Sequence, residues 1–164
     1  MLTIRNATPS DADSISALIT SLAHLFLASP DGRDADKFRQ AITPEALALF
    51  MVRPDVNYLV GEVQGEFCGA VCVFAHRHLR HLFVAPKYQG SGIGRQLWAA
   101  ARDAALVAGN PGEFTVNASL NAVPVYQRFG FASVGGLQQD NGLIFQPMKL
   151  VYATNNALAV SSSA

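Results

Sequence analysis

Charge of either sign is scarce in this chain. Only 15% of its 164 residues are Asp, Glu, Lys or Arg, and twelve basic side chains cancel twelve acidic ones. Without net charge there is no general attraction to nucleic acid or to an anionic membrane. Cysteine is scarcer still, with Cys68 and Cys72 alone. Their spacing is not that of metal ligands, so they are expected as reduced, half-buried thiols of a cytoplasmic protein. Four apart on a strand, they should share one face at a distance that forbids a bridge. No apolar run reaches membrane-spanning length; 68–75 is the nearest and is short. The amino terminus lacks the basic segment and apolar run of a secretory signal, and repeats and heptads are missing. With 50% hydrophobic residues, the chain is expected to form one globular domain with a sizeable core.

What is present is a regular succession of helical and strand patterns. Residues 2–7 alternate like a strand. Ser10 is placed to cap a helix whose stripe is Ile15, Leu18, Ile19, Leu22 and Leu25. A polar connector over 28–36 leads to a helix at 43–51, with Thr43 as cap and Pro44 first. Strands at 56–63 and 67–75 join through Gln64, Gly65 and Glu66, and a further strand covers 77–84. A helix over 93–108 should turn Ile93, Leu97, Ala101, Ala104 and Ala108 inward and stop at Gly109. After a strand at 114–119 and a short helix, strands at 132–137 and 143–151 flank a polar turn. Residues 153–164 read as a flexible tail, leaving a single domain over 1–152. The order β-α-α-β-β-β-α-β-α-β-β predicts an α/β sandwich around a mixed sheet.

The strand ending at Val84 runs through Pro86 into a glycine-rich loop and then a helix starting near Ile93. Amides at a helix start lack partners and favour negative charge, and glycines let a phosphate reach the bare main chain. Two well-known phosphate loops fail here. A P-loop needs Lys-Ser/Thr after its last glycine, but Arg95 and Gln96 follow Gly94. A dinucleotide fingerprint needs two residues between its second and third glycines, whereas Gly90, Gly92 and Gly94 are evenly spaced. A second block begins at Asn121, a candidate N-cap, and continues through Pro124, Val125, Tyr126 and Phe129 to Gly130 and Phe131. Val125 and Phe129 should face the core and Tyr126 a cleft.

The first block matches Gln/Arg-x-x-Gly-x-Gly/Ala through Gln89, Gly92 and Gly94. The second matches an Asn, a Tyr-bearing helix and Gly-Phe through Asn121, Tyr126, Gly130 and Phe131. In this order and spacing they resemble the GNAT superfamily of N-acetyltransferases. The resemblance covers roughly residues 3–150 and is most specific over 77–131. It implies a three-layer α/β/α fold with a central, mixed, splayed sheet, and acetyl-CoA as cosubstrate with no metal. It also implies direct attack by an acceptor amine, which needs no nucleophilic side chain. Amides of Gln89, Gly90, Ser91, Gly92, Ile93, Gly94 and Arg95 would hold the pyrophosphate. Main-chain groups of Phe83 and Val84 would pair with the pantetheine arm, the Val84 N–H would polarise the thioester carbonyl, and Asn121 would bind the arm. Tyr126 would protonate the departing thiolate.

The resemblance implies a base six residues before Val84, which here is His78, with His81 second. Strand alternation puts His78 on the face of Leu82 and Val84 and His81 on the other. His76 and His78 could chelate a metal, but no third ligand has clear spacing. Lys87, Arg95 and Arg102 flank the loop and suit a phosphorylated coenzyme. Asp31, Asp34, Asp36 and Asp140, near the acceptor end, favour a cationic small-molecule amine. A protein or peptide amine, or an acyl-CoA-sensing module without turnover, are the other readings. Monomer and homodimer stay equally open.

Overall fold

A computed structural model describes residues 1–152; the expected tail at 153–164 lies outside the described residues. Among the described residues, eight strands form a mixed sheet covered on both faces by five α-helices. The strands are β1 (Leu2–Asn6), β2 (Val56–Val63), β3 (Glu66–Phe74), β4 (His78–Val84), β5 (Glu113–Ala118), β6 (Ala132–Ser133), β7 (Gln138–Asp140) and β8 (Leu143–Val151). Their order is β1-β2-β3-β4-β5-β8-β6, with β7 against β8, and only β4 and β5 run parallel. Helices α4 (Ile93–Val107) and α5 (Val123–Phe129) pack on one face around Trp98, Phe114 and Tyr126. Helices α1 (Ala12–Leu22), α2 (Asp36–Ala41) and α3 (Pro44–Met51) pack on the other around Ile15, Ile19, Leu47 and Val60.

Several helix starts differ from expectation. Before α1, a 3₁₀ turn at Pro9–Asp11 is capped from Thr8, whose N–H donates to Asp11 Oδ2 at 2.8 Å, so Ser10 is not the cap. Thr43 does cap α3, accepting the Ala46 N–H at 3.2 Å. Helix α2 has six residues, too few to carry a period in sequence. The inward stripe of α4 steps strictly by four through Ile93, Leu97, Ala101 and Ala105, joined by Trp98. Ala104 is only half-buried, and Ala108 lies in solvent at the helix end. Asn121 falls inside a 3₁₀ turn, Leu120–Ala122, and does not cap α5. The strand expected at 132–137 stops at Ser133, because Gly135, at φ +68°, turns the chain away. The turn expected at 138–142 begins with β7.

Two extra residues set the faces of the sheet. Between β2 and β3 the register passes from Gly61↔Gly69 to Glu62↔Phe67, so Cys68 is the bulged residue. Cys68 therefore packs toward α4 and Cys72 toward α1 and α3, and the two thiols do not share a face. Between β3 and β4 the register passes from Cys72↔His81 to Val73↔Leu79, which makes Arg80 the extra residue. A bulge inverts the alternation beyond it. Leu79, Leu82 and Val84 all face α4, while Phe83 packs with the opposite cluster. His81 lies on that side too, against Tyr58 and Phe83. The grouping of His78 with Leu82 and Val84 is thus overturned.

His81 is held by Tyr58, Oη to Nδ1 at 2.9 Å. One ring edge meets open space, but burial among protein atoms, then the Arg80 and His78 charges, push its pKa down to about 3. The neutral ring is therefore the folded form. Below pH ~6.5 the unfolded chain takes up a proton that the folded chain refuses, so stability falls as pH drops toward 3. Urea unfolding at pH 7, 6, 5 and 4 should show a wild-type decline steeper than that of His81→Gln by roughly 1 kcal/mol per pH unit. Parallel declines would contradict the burial.

Candidate functional site

Strands β4 and β5 are paired only at His78↔Thr115 and Leu79↔Val116. Beyond Leu79 they diverge, and the gap opens into a cavity of about 510 Å³ that runs through the sheet. The bulge decides which backbone faces the gap. Ala85 N–H donates to Cys68 O on β3 at 2.8 Å, so by alternation the N–H and C=O of Leu82 and Val84 point toward the gap. The Val84 carbonyl accepts from Gln89 Nε2 at 2.9 Å, which ties the loop to the strand end.

The loop after β4 is a concave nest of main-chain donors. Gly90 and Gly92 have φ of +80° and +84°, and a Cβ at either would meet nothing within 4 Å. That outer side is open, and both glycines hold a conformation that other residues rarely adopt. None of the six amides from 90 to 95 has an acceptor among the described residues, while the Ser91 hydroxyl turns back to Tyr88 O at 2.6 Å. Ile93 anchors the helix start in the core. Six free amides at the positive end of a fifteen-residue helix fit a diphosphate. Of the three cations expected to help, Lys87 pairs with Glu66 at 3.2 Å and Arg102 with Asp103 at 3.0 Å. Arg95 has no carboxylate partner among the described residues; it lies 5.4 Å from the Phe129 ring.

The cavity brings together Tyr126, His78, His81, Phe83, Val84, Gln89 and Asn121. Tyr126 is the buried side chain of α5, more so than Val125 or Phe129, and its ring meets Phe129 and Phe131 edge-on at 6.0 and 5.7 Å. Burial raises its pKa, so the phenol keeps its proton at any physiological pH. His78 Nδ1 is 2.7 Å from Thr115 Oγ1, and burial, with Arg80 and Arg77 nearby, lowers its pKa below 6.5. The Asn121 side chain already accepts from Ser119 Oγ at 2.8 Å, leaving its amide N–H₂ for another partner. No group of His, Cys, Asp or Glu among the described residues could hold a metal.

The acceptor end differs from expectation. Asp140 lines the cavity, but Asp31, Asp34 and Asp36 do not; Asp36 pairs with Arg39 at 2.6 Å. Instead the wall is aromatic. Phe26 meets Phe38 at 5.2 Å and Phe83 at 6.0 Å. The segment carrying Phe26 is stitched to the β7–β8 hairpin by Ile144 N–H to Phe26 O at 3.0 Å and Ala28 N–H to Gly142 O at 2.8 Å. Gly142 also lets the chain at 34–35 close on the hairpin, since a Cβ there would lie 2.6 Å from Ala35 N. Thr115, Tyr58, Phe26 and Phe38 were not anticipated at the site. Thr115 is the one with a sequence signal, as a hydroxyl on the strand parallel to that of His78.

Comparison with known proteins accords with this geometry. The family model described as an acetyltransferase (GNAT) domain matches residues 26–152. No curated protein matches the chain. PaiA N-acetyltransferase from Thermoplasma acidophilum, solved with coenzyme A, superposes with a TM-score of 0.73 at 17% identity, covering 93% of this chain and 99% of that one. Ribosomal-protein-alanine N-acetyltransferase from Brucella melitensis does so at 0.69 and 22%, covering 92% and 99%. A spermidine N-acetyltransferase from Vibrio cholerae does so at 0.66 and 20%, covering 92% and 93%. At these identities the likeness is one of fold. With the family match spanning most of its length, the chain belongs to the GNAT family and is an acetyl-CoA-dependent N-acetyltransferase.

Proposed function

We propose that the protein acetylates a small-molecule primary amine by direct attack within a ternary complex. The observation that carries this is one gap with two differently built ends. Unpartnered amides stand at one end and an aromatic chamber at the other, with Tyr126 and His78 on the walls between. The bound cosubstrate supplies an activated acetyl group as a thioester. The amides from Gly90 to Arg95 grip its diphosphate, while main-chain groups of Leu82 and Val84 and the Asn121 amide hold the arm in the gap. The Gln89 N–H is taken by Pro86 O at 3.2 Å and the Phe83 main chain faces β3, so neither serves as the resemblance implied. The Val84 N–H donates to the carbonyl oxygen as negative charge grows there. The roof over the chamber, where residues 26–28 are stitched to the β7–β8 hairpin, favours a small acceptor over a protein side chain.

Tyr126 donates its phenolic proton to the leaving sulfur. The burial that raises its pKa keeps that proton in place until charge develops on the sulfur. His78 takes the proton of the acceptor amine, directly or through water, at the nitrogen that Thr115 leaves free. His81 suits this less, because burial makes it too weak a base.

Replacing Tyr126 with Phe should lower kcat by roughly 10²–10³ and leave the calorimetric Kd for acetyl-CoA within about twofold. An unchanged kcat would remove Tyr126 from the chemistry. Wild-type activity should drop on acidification as His78 takes up a proton at a pH below 6.5. The His78→Gln variant should be slower by roughly 10²-fold and lack that acid limb. A wild-type-like pH profile in this variant would assign the base elsewhere. No thiol release from acetyl-CoA with any amine, in protein that still binds it, would leave the sensing module as the reading.

A further inference from the structure

The protein has twelve Lys and Arg residues. Eight of them sit within ion-pair distance of a carboxylate; among the described residues the exceptions are Lys37, Arg80, Arg95 and Arg128. Arg95 and Arg128 belong to α4 and α5, on the side of the free amides. Lys37 and Arg80 both line the cavity. The Arg80 guanidinium lies 4.5 Å from the Phe50 ring, so its position is held by a π face and its N–H edge is free to bond. Its charge is felt at both His78 and His81. Lys37 is adjacent in sequence to Phe38, which meets Phe26 edge-on.

The titratable groups lining this cavity are Lys37, His78, Arg80, His81, Tyr126 and Asp140. With both histidines and the phenol uncharged, two cations face one carboxylate. Such a chamber repels a second positive charge on the acceptor and attracts a negative one. Its Phe26, Phe38 and Phe83 wall suits an apolar group of one side-chain size, and its three charged groups, Lys37, Arg80 and the lone acid Asp140, all stand at its exposed rim, cations two to one.

We infer that the acceptor is a free amino acid with a hydrophobic side chain. The side chain packs among Phe26, Phe38 and Phe83, the α-carboxylate bonds to Lys37 and Arg80, and the α-amine points into the gap. This rests on the transfer reaction proposed above and names its substrate. In the reaction the amine nitrogen forms a bond to the acetyl carbon and the carbon–sulfur bond breaks. The amine proton passes to His78, the thiolate takes one from Tyr126, and the products are an N-acetylamino acid and free thiol.

The test is the initial rate of thiol release from acetyl-CoA with phenylalanine, phenylalanine amide, 2-phenylethylamine or spermidine as acceptor. It uses the full chain as wild type, Lys37→Gln and Arg80→Gln. For wild type, kcat/KM should be at least roughly tenfold higher for phenylalanine than for the amide or 2-phenylethylamine, as a charge-assisted carboxylate contact implies, and lower again for spermidine. In either variant the preference for phenylalanine over 2-phenylethylamine should shrink to within about threefold. Equal or better use of spermidine, the amide or 2-phenylethylamine by the wild type would overturn the inference and leave acetyl transfer standing. A preference that survives both substitutions would overturn it as well. No release with any acceptor, while acetyl-CoA still binds by calorimetry, would overturn both.

Discussion

A single extra residue, Arg80, governs the geometry of this site. An uninterrupted β4 would turn the main-chain groups of His81 and Phe83 toward β5; with the bulge it is Leu82 and Val84 that do so. The parallel pairing of β4 and β5 ends just before the bulge, at Leu79↔Val116. Unpaired strand groups at a sheet's centre are costly unless something bonds to them. A gap of that kind inside a folded core calls for an extended ligand to fill it. The same inversion carries His81 to the α1 side, against Tyr58, and leaves Arg80 itself projecting at the mouth of the cavity.

Each wall of the gap is then fixed by ordinary packing. The loop after β4 is tethered through Gln89 to Val84 and anchored through Ile93, so its free amides are held in place. Tyr126 is clamped between Phe129 and Phe131, which fixes the direction of its hydroxyl. Exposed ion pairs such as Arg53–Asp55 and Lys87–Glu66 contribute little to stability, on the order of 0–1 kcal/mol each. Their effect here is to neutralise most of the surface. Among the described residues four cations and four carboxylates (Asp13, Asp34, Glu45 and Asp140) stay outside these pairs; two of the cations are on α4 and α5 and two line the cavity, which only Asp140 of the four acids reaches.

The parts of this arrangement that are local in sequence are legible there. Glycine spacing at Gly90, Gly92 and Gly94 signals the loop, Thr43 and Pro44 mark a helix start, and Tyr126 stands at its proper distance from Asn121. Faces of strands are less legible, because a bulge has no local signature. Period-two alternation placed Cys68 with Cys72 and His78 with Leu82, and the extra residues at Cys68 and Arg80 undid both. The acid-rich connector suggested a cationic acceptor, yet only Asp140 reaches the cavity, and an aromatic wall takes the place of the others. Which side chains of a loop turn inward depends on contacts distant in sequence, here the meeting of Phe26 with Ile144 and of Ala28 with Gly142.

In the proposed complex the Arg80 bulge aims the Leu82 and Val84 amides, together with those of residues 90–95, at one bound cosubstrate. Amide chemical shifts followed during a coenzyme-A titration test it most directly. The account predicts that these eight amides move together and saturate with one binding constant, while those facing β3 at Phe83 and Ala85 move far less. Saturable binding that leaves Leu82 and Val84 still, or that shifts Phe83 and Ala85 instead, would contradict it.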